Sequence, residues 1–379
     1  MKLVIACDSY KGSASAAEAA RALAEGAARV YPQARIETIP IADGGEGTVD
    51  AFLSAVPGRR LWAEVSGPMG EPVKAAYAML EDGTAVLEMC AASGLTLVPP
   101  ERRNPLLATS YGTGQLIAAA LDSGCARVIL GIGGSATNDG GAGMAQALGV
   151  KLLDGAGRPL PPGGGSLGRL ERVDCSQMDR RARETPILIA SDVTNPLCGP
   201  EGASAVYGPQ KGATPAMVRT LDANLARFAA LAAAATGRDV GDTPGAGAAG
   251  GLGAGLLLFC RAELRSGIDA LLDAADFDRR AADADLVLTG EGRIDGQSAY
   301  GKAPVGVARR VKALGDIPVI AVAGGVGPGA EAVYACGIDA LCSIAPGPIS
   351  LEEAMAEGPA LLADAAERVM RLARALGRR

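Results

Sequence analysis

Residues 127–148 read Arg127-Val128-Ile129-Leu130-Gly131-Ile132-Gly133-Gly134-Ser135-Ala136-Thr137-Asn138-Asp139-Gly140-Gly141-Ala142-Gly143-Met144-Ala145-Gln146-Ala147-Leu148. The apolar run 128–130 has the length and composition of a buried strand, and 144–148 consists of helix formers. Between them lie six glycines, two hydroxyls, an amide and a carboxylate. Strand, glycine-rich loop and helix in that order make a binding loop at a strand end. Glycine lets the backbone take positive φ and come close to an anion, and the first amides of the following helix point at the bound group. Gly133, Gly134, Ser135, Asn138 and Asp139 are the candidate contacts. A plain linker would not need the three polar side chains placed in this way.

The same grammar extends to both ends of the chain. A strand over 2–7 is followed by a loop at 8–13, a helix over 15–30 opened by the capping box Ser15/Glu18, and a strand near 35–41. In the last third a strand at 285–289 leads through a glycine turn to a helix near 304–314. A strand at 318–322, a helix near 328–336, a strand at 338–344 and a final helix over 350–376 follow. Alternation of this kind predicts a parallel sheet covered on both faces. The middle, 61–283, is less regular, with short strand-like runs and two glycine- or proline-rich loops. The expected fold is therefore α/β. Residues 1–60 and 284–379 form a discontinuous Rossmann-like (flavodoxin-like) domain, a mixed α/β domain is inserted at 61–283, and a cleft lies between them.

Composition narrows the chemistry. The chain has 379 residues, 49% of them hydrophobic but only 3% aromatic, so its cores are built from Val, Ile, Leu and Ala. A net charge of -6 argues against broad capture of nucleic acid or of an anionic membrane. No apolar run is long enough for a membrane span or a signal peptide. Eight scattered cysteines without a C-x-x-C spacing suit a reducing, cytoplasmic setting. The chain has no histidine, which removes the Ser-His-Asp triad, Cys-His nucleophiles and His-based metal sites. Acid–base work falls to Asp, Glu, Lys, Tyr or Cys, and a hard cation with oxygen ligands is the easiest metal partner.

Four further loops carry charge at strand ends. Asp8-Ser9-Tyr10-Lys11-Gly12-Ser13 follows the first strand, where Lys11 can hold a phosphate or a carboxylate. Ala42-Asp43-Gly44-Gly45-Glu46-Gly47-Thr48 places Asp43 and Glu46 in one tight turn, an arrangement that binds Mg²⁺ or is repulsive. Ser191-Asp192-Val193-Thr194-Asn195-Pro196 follows the apolar run 187–190 and offers Asp192 as a base or as a turn cap. The stretch 289–304 includes Glu291, Asp295, Ser298 and Lys302. Gly296 to Lys302 has the spacing of a Walker A loop, but Ala303 stands where its metal-binding hydroxyl would be. A turn at 207–213 presents Lys211. Residues 245–250 spell the dinucleotide fingerprint G-x-G-x-x-G through Gly245, Gly247 and Gly250, yet they follow Asp242-Thr243-Pro244 and not a hydrophobic strand. Its glycines read more naturally as points of close approach for the next helix, or as the lining of a phosphate pocket. Carboxylates, lysines and glycines at several strand ends together indicate phosphoryl transfer, which needs positioning, charge neutralisation and at most one carboxylate base.

These segments, with Gly112-Thr113-Gly114, resemble the bacterial glycerate kinase family that is neither P-loop nor ribokinase-like, over essentially the whole chain. The resemblance implies ATP- and Mg²⁺-dependent phosphorylation of D-glycerate, in the branch that gives 2-phosphoglycerate. It implies Asp192 as base, and Asp43, Glu46, Glu291 and Asp295 as candidate Mg²⁺ ligands. Lys11, Lys211 and Lys302 would neutralise the substrate carboxylate and the transferring phosphoryl group. Asp8, Ser9, Ser298 and the glycines of the 131–143 and 245–251 loops would contact substrate or nucleotide. Family members often carry histidines where this chain has Arg227 and Tyr300, so neither histidine is needed for the chemistry here. Cys7 replaces a proline common before Asp8. Other readings are a 3-phosphoglycerate-forming kinase, an NAD-dependent oxidoreductase on the Gly245 motif, and a non-catalytic nucleotide or carboxylate sensor. Oligomeric state is not legible.

Overall fold

The computed structural model describes residues 1–42 and 44–377. Its strands, in chain order, are β1 (Lys2–Cys7), β2 (Arg35–Thr38), β3 (Gly58–Ser66), β4 (Pro72–Leu80), β5 (Thr84–Glu88), β6 (Arg127–Gly131), β7 (Lys151–Leu153), β8 (Arg172–Asp174), β9 (Pro186–Ala190), β10 (Arg261–Arg265), β11 (Leu286–Ile294), β12 (Val319–Val326) and β13 (Ala340–Ser343). Packing divides the chain into two compact units. The first comprises Met1–Asp43, Asp50–Pro57 and Ile268–Arg379, and the second Gly44–Val49 and Gly58–Gly267.

The first unit is built on one parallel sheet in the order β13-β12-β11-β1-β2. The chain runs from β1 outward to β2, then returns to the other side of β1 and proceeds through β11, β12 and β13. This is the flavodoxin-like doubly wound order, with its topological switch point between β1 and β11. All six residues of β1 are buried, as a central parallel strand covered on both faces requires. Helix Ala16–Ala28 packs on the sheet, opened by the expected capping box in which the Ser15 hydroxyl accepts from the Glu18 amide and Glu18 reaches back. It crosses helix Gly358–Leu376 at Gly26, where a Cβ would stand 1.9 Å from the Ala363 carbonyl oxygen. Leu3, Ile5, Leu23, Leu288, Leu362 and Met370 lie in the core that results.

Three expectations shift in this unit. The strand expected to end at Thr289 continues to Ile294, because Arg293 and Ile294 stay in register with Gly325 and Val326 of β12. Residues 330–336 form a 3₁₀ segment between left-handed Gly329 and Gly337, and not an α-helix. The last helix is two, Leu351–Ala356 and Gly358–Leu376, with Pro359 in the first turn of the second.

The second unit carries a six-stranded mixed sheet, β10-β9-β6-β5-β4-β3, and a small β7-β8 pair. The pairs from β10 to β5 are parallel, and β4 and β3 are added antiparallel. Glu88, Gly131 and Ala190 stand side by side in register, so the loops after β5, β6 and β9 leave from one edge. Leu87, Leu130, Ile189, Phe228 and Leu252 are among its fully buried core residues. Among the described residues, no helix is long and apolar enough to cross a membrane.

Candidate active site

In the first unit a cavity of about 610 Å³ opens at the carboxyl ends of β1, β11 and β12, at the switch point of the sheet. It gathers Asp8, Ser9 and Lys11 from the loop after β1, Glu291 from β11 itself and Lys302 from the segment that follows β11. The 8–14 loop is closed on itself: the Tyr10 amide donates to Ala14 O and the Ala14 amide to Tyr10 O, with Gly12 at φ 79°. Asp8 is buried, and its Oδ1 accepts from the Ser9 amide at 2.6 Å. Tyr10, also buried, donates its hydroxyl to Val322 O at 2.6 Å and so fastens the loop to β12. Glu291 is held by the Ser298 hydroxyl, which donates to its Oε1 at 2.7 Å, and Lys302 Nζ lies 4.0 Å from its Oε2. Lys302 is the N-cap residue of helix Ala303–Leu314. Asp295 instead turns to the Gln297 amide and to Arg293 at 3.3 Å, and it does not line the cavity.

In the second unit the 131–143 loop leaves β6 as expected, but its polar residues are largely internal. Asp139 is fully buried and accepts from the Ser110 amide at 2.8 Å, the Ser110 hydroxyl at 3.0 Å, and the amides of Gly141 and Gly143 at 3.1 and 3.2 Å. Burial raises its carboxyl above the usual carboxylate range, and these donors oppose the rise. Its role here is to bind the loop to residues 109–110 and to the start of the next helix. Asn138 donates from Nδ2 to the Ser204 hydroxyl at 2.8 Å.

Lys211 is 2% exposed, and its ammonium donates to Ser135 Oγ and Thr137 O, both at 2.7 Å. Burial pushes it down to about 7, while the charge of Asp139 works the other way. It supports the loop from behind. Thr137 Oγ1 and Asn138 Oδ1 are buried beside it with no hydrogen-bond partner among the described residues. Native interiors seldom leave such atoms idle, so this part of the loop has polar capacity for a bound group or water.

The 245–251 glycines resolve toward close approach. A Cβ on Gly247 would stand 2.1 Å from Pro196 O, and one on Gly250 2.0 Å from Thr137 O. Ala249, Gly250 and Gly251 are consecutive left-handed residues ahead of the regular part of the helix to Phe259. The Gly140 amide donates to Gly250 O and the Gly247 amide to Asn195 O, both at 3.0 Å. The loop thus braces the two strand-end loops that carry Asp139 and Asp192. Asp192 is half-buried just beyond β9, and the adjacent Ser191 amide donates to Arg265 O.

The turn that carries Glu46 docks on this same edge: the Gly133 amide donates to Gly44 O at 3.1 Å and the Val49 amide to Glu88 Oε1 at 2.6 Å. Glu88 was not singled out in the sequence, because a strand-terminal glutamate has no local signature; its position opposite Gly131 becomes visible only with the strand register. Asp43 lies outside the described residues. Among the described residues no three acidic or cysteine side chains gather as a metal-binding group.

Residues 3–374 match the model of the Glycerate kinase family, and the chain belongs to that family. It is 55% identical to a glycerate kinase of Bacillus subtilis (strain 168) over 355 residues, with 93% of each chain covered. It is 51% identical to a glycerate 2-kinase of Escherichia coli (strain K12), again with 93% of each chain covered. Among solved structures, a crystal structure from Salmonella typhimurium LT2 that carries the name glycerate kinase 2 superimposes with a TM-score of 0.90 at 48% identity, covering 100% of both chains.

Proposed function

We propose that this chain transfers the γ-phosphoryl group of ATP to the 2-hydroxyl of D-glycerate, giving 2-phosphoglycerate and ADP. The observation that carries the reading is the 51% identity, over 93% of both chains, to the relative named glycerate 2-kinase. The carboxylate and lysine loops at the strand ends support it.

In this reading Asp192 accepts the hydroxyl proton as the glycerate oxygen bonds to the γ-phosphorus and the bond from that phosphorus to the bridging oxygen breaks. Lys11 and Lys302 balance charge on the phosphates and the substrate carboxylate. Lys211 works through the loop: with Ser135 and Thr137 fixed, the backbone of residues 133–137 presents a preformed surface. Magnesium sites in kinases use one or two carboxylates together with substrate phosphates, so the lack of a three-carboxylate cage among the described residues is compatible with Mg²⁺. Glu291, kept in place by Ser298 and sharing a cavity with Asp8, has the donor chemistry for it. When bound, the ion would neutralise phosphate charge. Purified chain incubated with ATP, Mg²⁺ and D-glycerate should release ADP only when all three are present. ADP release that does not depend on glycerate would reject the assignment.

A further inference from the structure

We propose that Glu88 is a positioning residue for the phosphoryl transfer: from a remote strand it caps the helix that begins at Thr48, and so pins the Glu46 turn and the Gly133 backbone at the second unit's strand edge. The inference rests on the kinase reading above and adds to it a residue that acts through the binding loops and not on the substrate itself.

Residues 44–49 are a short excursion of the chain. The segments on either side, Met1–Asp43 and Asp50–Pro57, belong to the first unit, whereas Gly44–Val49 packs with the second. So short a segment has no core of its own, and its place depends on the points where it is tied. The first tie is main chain: the Gly133 amide donates to Gly44 O at 3.1 Å. A Cβ on Gly44, at φ 88°, would stand 2.5 Å from Ala190 O, and one on Gly131 would stand 2.5 Å from Gly44 O. The turn therefore lies directly on the ends of β6 and β9.

The second tie is Glu88. The helix Thr48–Ala55 follows Gly47, which has no side chain to cap it, and the Thr48 hydroxyl is turned back to donate to Gly45 O at 2.7 Å. The first amides of a helix have no acceptor within it. Glu88, at the end of β5, supplies one from outside: its Oε1 accepts from the Val49 amide at 2.6 Å. A carboxylate suits this place, because it also meets the positive end of the helix dipole. The Cys90 thiol donates to Glu88 Oε2 at 3.6 Å. Burial pushes that thiol up, and the charges of Glu88 and Glu46 add to the rise, so Glu46 is near enough for its charge to act there.

Glu46 thus sits between two ties, one at Gly44 and one at Val49. Loss of the second leaves the turn on its main-chain contact alone, and Gly133 moves with it. A misplacement of about 1 Å in groups that position a substrate can cost about 10²-fold in rate.

Reach and charge separate positioning from direct chemistry. Glu88→Asp keeps the charge but is one methylene short of the Val49 amide, whereas Glu88→Gln keeps the length and an oxygen acceptor without the charge. In the full-length chain Glu88→Asp should lower kcat by about 10²-fold, and Glu88→Gln should retain at least about tenfold more activity. Hydrogen exchange followed by mass spectrometry should be faster over 44–49 and 131–134 in Glu88→Asp than in Glu88→Gln, with the helix Pro215–Thr236 unchanged in both. Asp equal to or better than Gln in kcat would overturn the inference, because charge and not reach would then be what the reaction needs. Unchanged exchange over 44–49 in Glu88→Asp would overturn it too, as would faster exchange throughout the second unit, the mark of a general loss of stability. The exchange measurement needs no turnover, so it stands apart from the kinase reading, which fails only if the parent chain does not phosphorylate D-glycerate.

Discussion

Replacing Lys211 by methionine should change how stability depends on pH. In the native protein Lys211 is buried with its ammonium on Ser135 Oγ and Thr137 O, and burial lowers it from the ordinary 10.5 to about 7. Folding therefore disfavours the charged form. Below pH 7 both the folded and unfolded chains hold the proton, and the cost is fully present. At about 1.4 kcal/mol per unit, the shift corresponds to roughly 4–5 kcal/mol. As pH rises from 7 towards 10.5 the unfolded chain holds more protons than the folded one, so stability rises with pH. From pH 7 to 9 the gain is about 2 kcal/mol. Methionine is of similar length and carries no proton, so Lys211→Met lacks this component, although the loop loses two hydrogen bonds. Urea unfolding of both proteins at several pH values between 6.5 and 9 isolates it, because every other titrating group is shared. The stability difference, parent minus variant, should grow by about 2 kcal/mol across pH 7 to 9. A flat difference would refute the argument and mean that Lys211 keeps its proton at ordinary affinity through its two acceptors and Asp139.

Asp192→Asn should lower kcat by about 10²–10⁴ with modest changes in either KM, as expected for a lost general base; unchanged turnover would remove it from that role. If Lys302 balances phosphate charge as proposed, Lys302→Ala should lower kcat/KM for ATP by about 10²-fold; steady-state kinetics at saturating glycerate reads it. Gly250→Ala should destabilise the fold by about 3 kcal/mol or more, because it combines a positive φ with a Cβ against main-chain atoms that cannot swing away. Its contacts would be Thr137 O at 2.0 Å and Asn138 Cα at 2.7 Å, and chemical denaturation measures the loss.

Much of this architecture is legible in the sequence because its signals are local. The 128–130 run followed by glycines marks β6 and its loop, Ser15 with Glu18 marks a helix start, and the alternation at both ends yields the parallel sheet. What stays hidden depends on partners remote in sequence. β11 extends past Thr289 only because β12 offers Gly325 and Val326 to pair with. Asp139 is singled out as a carboxylate of the binding loop, but nothing near it in sequence shows that Ser110, some thirty residues earlier in the chain, donates to it. Lys211 looks like any loop lysine, since nothing in 207–213 reveals that Ser135 and Thr137 will receive its ammonium. The break between Leu351–Ala356 and Gly358–Leu376 is different in kind, because Pro359 is a local signal that a reading of one helix over 350–376 passes over. The 245–250 fingerprint shows the opposite hazard. Its spacing suggests a dinucleotide, but no strand precedes it and its glycines admit neighbouring backbone.

The central claim is tested most directly by incubating the purified chain with D-glycerate, ATP and Mg²⁺ and identifying the phosphorylated product by phosphorus NMR. The account predicts 2-phosphoglycerate formed in step with ADP. A 3-phosphoglycerate signal would contradict the proposed regiochemistry, and folded protein giving no ATP-dependent phosphoglycerate would contradict the kinase assignment itself.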